Sequence, residues 1–329
     1  MDIAIFSRRH YEQESLQHAF ANSPYQLHFF DVHLNASHAA LAKGCEVVCA
    51  FVNDILDAQT FTLLATGGTR LIALRCAGYN NVDIQAAKQC GIQVVRVPAY
   101  SPHAVAEHAC ALLLSLNRHI HKAYNRVRDS NFSIEGLVGF DLHQKTVGVV
   151  GTGAIGTVFC QIMAGFGCHV LAYDPQPNAA CREQGVEYVP LEQLLALSDI
   201  ISLHCPLTPD THHLINTHSL DLCKPGAVLI NTSRGGLIDS HAVITALKGG
   251  KLSGLGIDVY EEEGDVFFED LSSKVITDDV LMRLTTFPNV LMTGHQAFLT
   301  HEALQNIAQT TRANIDAYAA NQPLANQVF

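Results

Sequence analysis

Residues 145–167 read KTVGVVGTGAIGTVFCQIMAGFG. An apolar, strand-like run precedes the glycines, and apolar residues then recur over 155–166 at the spacing of one helix face. Gly151 permits a tight turn, Gly153 lets a pyrophosphate approach the backbone, and Gly156 lets the helix pack closely on the strand. Because strand, glycine turn and helix all follow one another directly, the stretch predicts a dinucleotide-binding βα unit.

The next strand-like run, CHVLAYD, ends at Asp174, 18 residues after Gly156. An acidic side chain at this position can hydrogen-bond both ribose hydroxyls, and it would repel a 2′-phosphate. Arg182 lies eight residues further on, too far to serve as a 2′-phosphate ligand. We therefore expect NAD rather than NADP as the cofactor.

Short apolar runs alternate with helix-length segments throughout the chain. Five runs predict a first, small sheet: DIAIF (2–6), YQLHFFD (25–31), EVVCAFV (46–52), RLIALRC (70–76) and IQVVRV (92–97). Six runs predict a second, larger sheet: KTVGVV (145–150), CHVLAYD (168–174), DIISLHC (199–205), AVLINTS (227–233), LSGLGIDV (252–259) and NVLMTG (289–294). Helices between successive strands imply right-handed crossovers and parallel pairing. The predicted fold class is α/β with two doubly wound parallel sheets.

Helical patterns flank the second set of strands. Residues 101–129 begin with a Ser cap and a Pro at the first helical position, and they predict one long helix. Residues 131–144 have the composition of a loop, and residues 301–320 predict a final helix. Because no strand follows that helix, we expect it to pack back on the first domain.

Length and composition exclude several classes of protein. A chain of 329 residues is long enough for about two domains. The formal net charge of −11 has the wrong sign for binding nucleic acid or anionic membranes. No apolar run approaches membrane-spanning length, and no export signal is visible at the N-terminus. None of the ten cysteines is in C-x-x-C spacing, so we expect reduced thiols in a soluble, cytoplasmic protein.

Three side chains follow predicted strands and suit one reaction. Arg234 follows AVLINTS, Glu263 follows LGIDVY and His295 follows NVLMTG. In an open α/β sheet, ligands bind at the carboxyl edge of the strands. Hydride transfer between a nicotinamide and a 2-oxo acid needs a proton donor or acceptor and a cation for the carboxylate. The chain contains 18 histidines, so spacing alone does not establish these roles.

A metal site is the competing interpretation of the histidines. His204 and Cys205 together with His212 and His213 suggest a cluster, but the chain has no zinc-like pair of cysteines. We therefore predict no metal. Glu261 and Glu262 belong to an acidic run that is typical of a solvated loop.

Seven segments together resemble the D-isomer-specific 2-hydroxyacid dehydrogenase family. They are RCAGYNNVD (75–83), VRVPAYSPHAVAEHA (95–109), GTGAIG (151–156), SLHCPLT (202–208), NTSRGGLID (231–239), GIDVYEEEGDVFFED (256–270) and TGHQAFLT (293–300). The resemblance runs from near the start to the final helix. It implies a flavodoxin-like substrate domain split over residues 1–100 and 299–329, and an inserted Rossmann NAD-binding domain at 101–298, with the active site in the cleft.

The resemblance also implies a reaction and a role for each site residue. The reaction is reversible hydride transfer between NADH and pyruvate, which gives D-lactate. Arg234 would bind the substrate carboxylate and carbonyl, His295 would be the acid/base, and Glu263 would raise the pKa of His295. The implied substrate-binding residues are Cys76, Ala77 and Gly78 in a backbone loop, and Tyr100 and Phe298 at the methyl end. Besides the three glycines, the implied cofactor contacts are Ala154, Ile155, Asp174, Cys205, Pro206, Thr211, Thr232, Ser233 and Asp258. Thr211 stands where related enzymes often have Asn.

Two alternative functions share this fold. One is a D-2-hydroxyisocaproate-type dehydrogenase that acts on larger 2-oxo acids, with the same catalytic residues and a different pocket volume. The other is a non-enzymatic NAD(H)-sensing corepressor. The resemblance further implies a homodimer or homotetramer, for which the helix after Ser101 is a candidate interface element.

Overall fold

Buried apolar strands build two separate sheets along the chain. The computed structural model describes the backbone of residues 1–329 and every side chain except that of Asp265. The chain divides into unit 1, Met1–Ser101 with Leu299–Phe329, and unit 2, Pro102–Phe298. Each unit has its own sheet and its own apolar core.

Unit 1 contains five parallel strands. They are β1 (Asp2–Ile5), β2 (Gln26–Phe29), β3 (Val47–Ala50), β4 (Leu71–Leu74) and β5 (Gln93–Val95). Their order in the sheet is β2-β1-β3-β4-β5, which is the flavodoxin-like order. β3 and β4 are buried along their whole length, as a parallel sheet covered on both faces requires. The helices of this unit are α1 (His10–Phe20), α2 (Ala58–Gly67), α3 (Ile84–Gln89) and, from the end of the chain, α12 (His301–Ala319).

Unit 2 contains seven parallel strands. They are β6 (Thr146–Val150), β7 (His169–Tyr173), β8 (Glu187–Tyr188), β9 (Ile200–Leu203), β10 (Ala227–Asn231), β11 (Leu252–Ile257) and β12 (Val290–Met292). Their order is β8-β7-β6-β9-β10-β11-β12, a Rossmann order with one strand added at the β12 edge. The helices are α4 (Pro102–Asn117), α5 (Ile120–Arg128), α6 (Ala154–Gly165), α7 (Ala179–Glu183), α8 (Leu191–Leu197), α9 (Thr217–Leu222), α10 (Ser240–Lys248) and α11 (Asp279–Thr285). The predicted fold class, two doubly wound parallel sheets, is confirmed.

Two details of unit 2 differ from the sequence predictions. The single helix predicted over 101–129 is wrong, because it is broken into α4 and α5 at His119, whose φ is +52°. A residue in this left-handed conformation cannot continue a right-handed helix. The prediction of six strands missed β8, which has only two residues and lies at the sheet edge.

The final helix packs back on unit 1, as predicted. α12 lies against α1 and contacts β4, and its apolar face is buried. Thr300 caps its first turn by accepting a hydrogen bond from the backbone N–H of Ala303 at 3.2 Å. Among the residues that the structure describes, no helix combines the length and the apolar character that crossing a membrane requires.

Candidate active site

Most of the site residues predicted in unit 2 follow a strand directly, at the carboxyl edge of its sheet. Because the strands are parallel, these strand ends share one edge, where ligands of open α/β sheets bind. The segments that follow the strands start at Gly151 after β6, Asp174 after β7, His204 after β9, Thr232 after β10, Asp258 after β11 and Thr293 after β12.

The glycine turn between β6 and α6 has little room for side chains at two of its three glycines. Gly151 has a φ of +92°, and a Cβ there would lie 2.7 Å from the backbone nitrogen of Cys205. A Cβ on Gly156 would lie 2.0 Å from the carbonyl oxygen of Gly151. A Cβ on Gly153 would meet no protein atom within 4 Å. The turn is therefore closed on its protein side and open at Gly153.

The open side of this turn suits a pyrophosphate. Gly153 is the N-cap of α6 and supplies no side-chain cap, so the first N–H groups of the helix lack intrahelical partners. Such a helix terminus favours negative charge. The buried hydroxyl of Thr232, after β10, has no hydrogen-bond partner among the described residues. An open anion-binding turn and an unsatisfied buried hydroxyl at the same sheet edge fit a dinucleotide.

Asp174 is held across the glycine turn. Its Oδ2 accepts hydrogen bonds from the backbone N–H of Thr152 at 2.7 Å and from the hydroxyl of Thr152 at 3.2 Å. Its Oδ1 accepts from the backbone N–H of Gln176 at 2.8 Å. Thr152 was not predicted as a site residue, because the glycine motif specifies only the positions of its glycines. The guanidinium of Arg182 lies over the ring of Tyr188, 5.3 Å from its centroid.

The segment after β9 is bound to the segment after β10. The hydroxyl of Ser233 donates to the carbonyl oxygen of Cys205 at 2.6 Å. The hydroxyl of Thr211 donates to the carbonyl oxygen of Pro206 at 2.7 Å, which closes the loop between them. Burial raises the pKa of the Cys205 thiol to about 11, so the thiol is protonated and serves as packing. Hydrogen bonds thus connect four of the predicted cofactor residues: Ser233 with Cys205, and Thr211 with Pro206.

His204 lies beneath the glycine turn, and among the described side chains it belongs to no cluster of potential metal ligands. Its ring packs on Phe159 at 4.8 Å between centroids, and its Nε2 is 2.9 Å from the hydroxyl of Ser202. Burial lowers the pKa of His204 to about 3, so the imidazole is neutral. The cluster of His204 and Cys205 with His212 and His213, considered from the sequence, is therefore not formed by the described side chains. Among the described side chains, His212 and His213 meet Glu261 instead.

His295 and Glu263 are brought together from two strands. Nδ1 of His295 lies 2.9 Å from Oε1 of Glu263, although the residues are 32 positions apart. The second carboxylate oxygen of Glu263 accepts the backbone N–H of Tyr260 at 3.1 Å. Since the carboxylate accepts the proton of Nδ1, the Nε2 edge of the ring is left for a ligand. The arrangement can give or take one proton at Nε2.

The turn that carries His295 is held by Asp258. His295 has a φ of +54°, and its backbone N–H donates to the carbonyl oxygen of Asp258 at 2.8 Å. The buried carboxylate of Asp258 accepts the backbone N–H groups of Gln296 at 2.9 Å and Ala297 at 2.7 Å. Burial by itself raises the pKa of Asp258, but hydrogen bonds from His108, Thr293, Ala297 and Gln296 outweigh it and lower the pKa. Asp258 therefore fixes the backbone conformation from which His295 projects.

Arg234 follows β10, and among the described contacts it has no direct bond to His295 or Glu263. Its Nη1 donates to the carbonyl oxygen of Ser233 at 2.7 Å, and its own carbonyl oxygen accepts from Asn231 at 2.9 Å. Among the described side chains, none forms an ion pair with its guanidinium. Its half-buried cation is thus available to an anionic ligand.

The predicted substrate-binding residues of unit 1 follow β4 and β5. Sγ of Cys76 lies 3.2 Å from the carbonyl oxygen of Gly78, and Arg96 donates to the carbonyl oxygen of Ala77 at 2.7 Å. The carbonyl oxygen of Tyr100 accepts the side-chain amide of Asn306 at 2.6 Å. In unit 2, Phe298 closely follows the His295 turn and is half-buried.

A buried ion pair beneath the Cys76 loop was missed. The guanidinium of Arg75 is 2.7 Å from Oε1 of Glu12 on α1, and both side chains are buried. Arg75 also donates to the carbonyl oxygens of Phe6 at 3.1 Å and Ser7 at 3.3 Å, beyond the end of β1. The available signal was Arg75, which directly follows the apolar run LIAL (71–74). The pair anchors the start of the loop to the neighbouring elements.

Glu261 corrects one prediction. It is half-buried rather than part of a solvated loop, because it contacts His213, and its second oxygen accepts the hydroxyl of Ser240 at 3.2 Å. Its partners lie 48 and 21 positions away in the chain, so local charge patterning did not reveal them.

Comparisons with known proteins identify the family of the chain. Residues 110–297 match the family model described as D-isomer specific 2-hydroxyacid dehydrogenase, NAD binding domain. The chain is 52% identical over 328 residues to D-lactate dehydrogenase of Escherichia coli (strain K12), covering 100% of both chains. The solved structure of the pyruvate reductase of Chlamydomonas reinhardtii is similar, with a TM-score of 0.95 and 47% identity over 99% of this chain and 98% of that one. A D-2-hydroxyisocaproate dehydrogenase structure has a TM-score of 0.88 and 33% identity over 100% and 99% of the chains.

Proposed function

Because the chain belongs to the D-isomer-specific 2-hydroxyacid dehydrogenase family, we propose that it is an NAD-dependent D-lactate dehydrogenase that reduces pyruvate reversibly to D-lactate. The observation that carries the proposal is the His295–Glu263 pair at the carboxyl edge of the NAD-binding sheet. The full-length identity of 52% to the E. coli enzyme supports the choice of substrate.

In the proposed mechanism, residues of this chain transfer one proton and bind the carboxylate of the substrate. NADH, when bound, supplies the hydride that reduces the carbonyl carbon of pyruvate. His295 gives the proton on Nε2 to the carbonyl oxygen, and Glu263 stabilises the imidazolium before the transfer. Arg234 binds the substrate carboxylate and polarises the carbonyl. In the oxidation of D-lactate, neutral His295 takes the proton back.

The remaining site residues are proposed in binding roles. The backbone of Cys76, Ala77 and Gly78 binds the substrate carboxylate, and Tyr100 and Phe298 enclose its methyl end. The proposed cofactor contacts are Gly151, Gly153, Ala154, Ile155, Gly156, Asp174, Cys205, Pro206, Thr211, Thr232, Ser233 and Asp258. The open Gly153 and the unsatisfied hydroxyl of Thr232 support this set.

The deciding experiment is NADH oxidation with pyruvate, followed by a stereospecific assay of the lactate formed. We expect D-lactate from the wild type and a loss of at least about 10²-fold in turnover in His295→Ala. His218→Ala, an exposed histidine on α9, is the matched control and keeps its turnover. Faster turnover of 2-oxo-4-methylpentanoate than of pyruvate would identify the larger-substrate enzyme. NADH binding without turnover would favour the sensing protein.

The physiological setting is part of the proposal. All ten cysteines are free thiols, and several lie in the cores, which fits the reducing cytoplasm. There the enzyme would regenerate NAD by reducing pyruvate in fermentation.

We also propose that the chain forms a homodimer or homotetramer. An apolar surface over 120–138 supports it, because unit 2 leaves six large apolar side chains exposed there: Ile120, Tyr124, Val127, Phe132, Ile134 and Val138. Light scattering after size exclusion tests this. Ile134→Asp combined with Val138→Asp should lower the assembly mass, and Val275→Asp, equally exposed elsewhere, should not.

A further inference from the structure

His212, His213 and Glu261 form a cluster of metal-binding side chains apart from the catalytic pair. Their ligand atoms all lie within 4.8 Å of one another. Nε2 of His213 is in hydrogen-bond contact with Oε1 of Glu261, and the two imidazole rings stack with centroids 3.9 Å apart. Among the side chains that the structure describes, this is the one group of three histidine, cysteine or carboxylate ligands within this distance.

The backbone directs both imidazoles to one side. Consecutive side chains of an extended chain point in opposite directions. His213, however, has a φ of +50°, and this left-handed residue turns the chain so that the two rings lie face to face. The turn is held by two bonds of His213: its N–H donates to the carbonyl oxygen of Gly236 at 2.9 Å, and its carbonyl oxygen accepts the side chain of Asn216 at 2.9 Å. Two nitrogen ligands are therefore already close in the folded chain.

The carboxylate is oriented from behind. Oε2 of Glu261 accepts the hydroxyl of Ser240 at 3.2 Å, which leaves Oε1 for the imidazole side. Hydrogen bonds of this kind orient the ligands of many metal sites. The backbone that carries Glu261 is closely packed, since a Cβ on Gly235 would lie 2.0 Å from the carbonyl oxygen of Tyr260.

The cluster is accessible from solvent. The side chains of His213 and Glu261 have relative solvent exposures of 35% and 27%, and His212 is exposed. An ion can therefore enter, and water can complete its coordination. In contrast, the ten thiols of the chain are buried or half-buried.

We propose that His212, His213 and Glu261 bind one divalent transition-metal ion of the class that favours imidazole ligands. Two imidazoles and one carboxylate suit Zn²⁺ and its neighbours, whereas Mg²⁺ and Ca²⁺ take oxygen ligands. Bond lengths of about 2.0–2.2 Å require the His212 nitrogen to move closer and the contacting atoms of His213 and Glu261 to move apart. Rotation of the exposed His212 side chain supplies the first of these movements. The ion replaces the direct contact between His213 and Glu261.

The competing explanation is that His213 and Glu261 form only an ion pair that joins two loops. The two explanations differ in what they require of His212, which contributes nothing to the ion pair but is a ligand of the metal. His212 is exposed, so its replacement does not disturb the core. The inference does not depend on the proposed function, and its test does not use turnover.

The experiment uses the full-length protein stripped of metal with a chelator and then titrated with Zn²⁺ by calorimetry. We expect one saturable equivalent and a rise in Tm, because a ligand that binds the native state stabilises it. His212→Ala and Glu261→Gln should lose both the equivalent and the rise in Tm. The matched controls His241→Ala and Glu262→Gln remove an exposed imidazole and an exposed carboxylate nearby, and they should keep both.

A second probe separates this site from the cysteines. Co²⁺ bound to nitrogen and oxygen ligands shows no thiolate charge-transfer band, so we expect a spectrum without one. Thermal melting of each metal-free variant first shows whether it is folded. If Glu261→Gln does not fold, the result with His212→Ala decides the test. No bound equivalent in the wild type, equal binding in His212→Ala, or a thiolate band would overturn the proposal.

Discussion

The imidazole of His295 has one nitrogen committed to a carboxylate, and this determines the use of the other. Oε1 of Glu263 accepts a hydrogen bond from Nδ1 of His295 at 2.9 Å, and Oε2 of Glu263 accepts one from the backbone N–H of Tyr260. In the proposed mechanism this contact orients the imidazole whose Nε2 gives a proton to pyruvate. Without the carboxylate, the orientation of the ring is less restricted.

We predict that Glu263→Gln shifts the decline of pyruvate reduction to lower pH. At alkaline pH the loss in kcat should be on the order of tenfold or more, and it should shrink as the pH falls and His295 is protonated without help. Steady-state kinetics over a range of pH measure this. Glu262→Gln removes an exposed carboxylate one position away and should leave the profile in place. Coincident profiles for Glu263→Gln and the wild type would remove Glu263 from the mechanism.

We propose that Asp174 determines the choice between NADH and NADPH. Its carboxylate is fixed by Thr152 and Gln176, so it cannot turn away from a 2′-phosphate without losing these bonds. We predict that Asp174→Ala raises kcat/KM for NADPH relative to NADH by about tenfold or more, equivalent to about 1.4 kcal/mol of discrimination. Kinetics with both cofactors test this, with Glu183→Ala as the control for an exposed charge on α7. An unchanged ratio would assign the discrimination to other groups.

The positions of single residues at the sheet edge were predictable where residue type and strand position coincide, whereas their roles stay predictions. Arg234, Glu263 and His295 are polar residues that follow apolar strands, and family resemblance supplied their roles. Contacts between distant segments were not predictable, because they depend on which strands become neighbours. Glu261 was therefore assigned to solvent, although His213 lies against it. The ion pair of Arg75 with Glu12 joins positions 63 residues apart for the same reason.

The β6–α6 turn shows how one element separates folding from binding. Gly156 is required by the protein itself, since its Cβ would lie 2.0 Å from the carbonyl oxygen of Gly151. Gly153 has an ordinary φ of −65°, and its Cβ would meet no protein atom within 4 Å. We therefore infer that the absence of a side chain at Gly153 leaves room for the proposed cofactor.

We predict that alanine at Gly153 weakens the binding of NADH, whereas alanine at Gly156 destabilises the folded chain. Gly153→Ala should leave the Tm near that of the wild type and raise the Kd for NADH by about tenfold or more, or about 1.4 kcal/mol, because the methyl group fills the space of the pyrophosphate. Gly156→Ala should lower the Tm in the absence of cofactor. Thermal melting and fluorescence titration with NADH measure the two effects. Normal NADH binding by a folded Gly153→Ala would place the pyrophosphate elsewhere.

Helices and strands were predictable where the apolar pattern of the sequence is strong, and their prediction failed where that pattern is weak. β3 and β4 are continuous apolar runs that are buried along their whole length, which is the pattern of a strand covered on both faces. β8 has two residues and carries no period, so only its pairing with β7 identifies it. The break between α4 and α5 occurs at His119 without glycine or proline, so the left-handed backbone there had no signal in the chain.

Acid stability of the whole molecule should depend on His204. Burial lowers its pKa in the folded chain to about 3, whereas an unfolded histidine titrates near 6.5. Between these values the unfolded chain binds more protons than the folded chain, so stability falls as the pH drops below about 6.5. One proton contributes a slope of at most about 1.4 kcal/mol per pH unit. The buried Nδ1 of His204 has no described partner to offset this cost.

We therefore predict that His204→Gln flattens the acid limb of the stability profile. Glutamine keeps a polar group for the hydroxyl of Ser202, which contacts His204 at 2.9 Å, but it does not titrate. Lost packing on Phe159 lowers stability at neutral pH, and the difference from the wild type should narrow on acidification. Urea unfolding at several pH values without cofactor measures the slopes, and His218→Gln, exposed on α9, should keep the wild-type slope. Parallel profiles for His204→Gln and the wild type would mean that the imidazole is already protonated, or hydrated, in the folded chain.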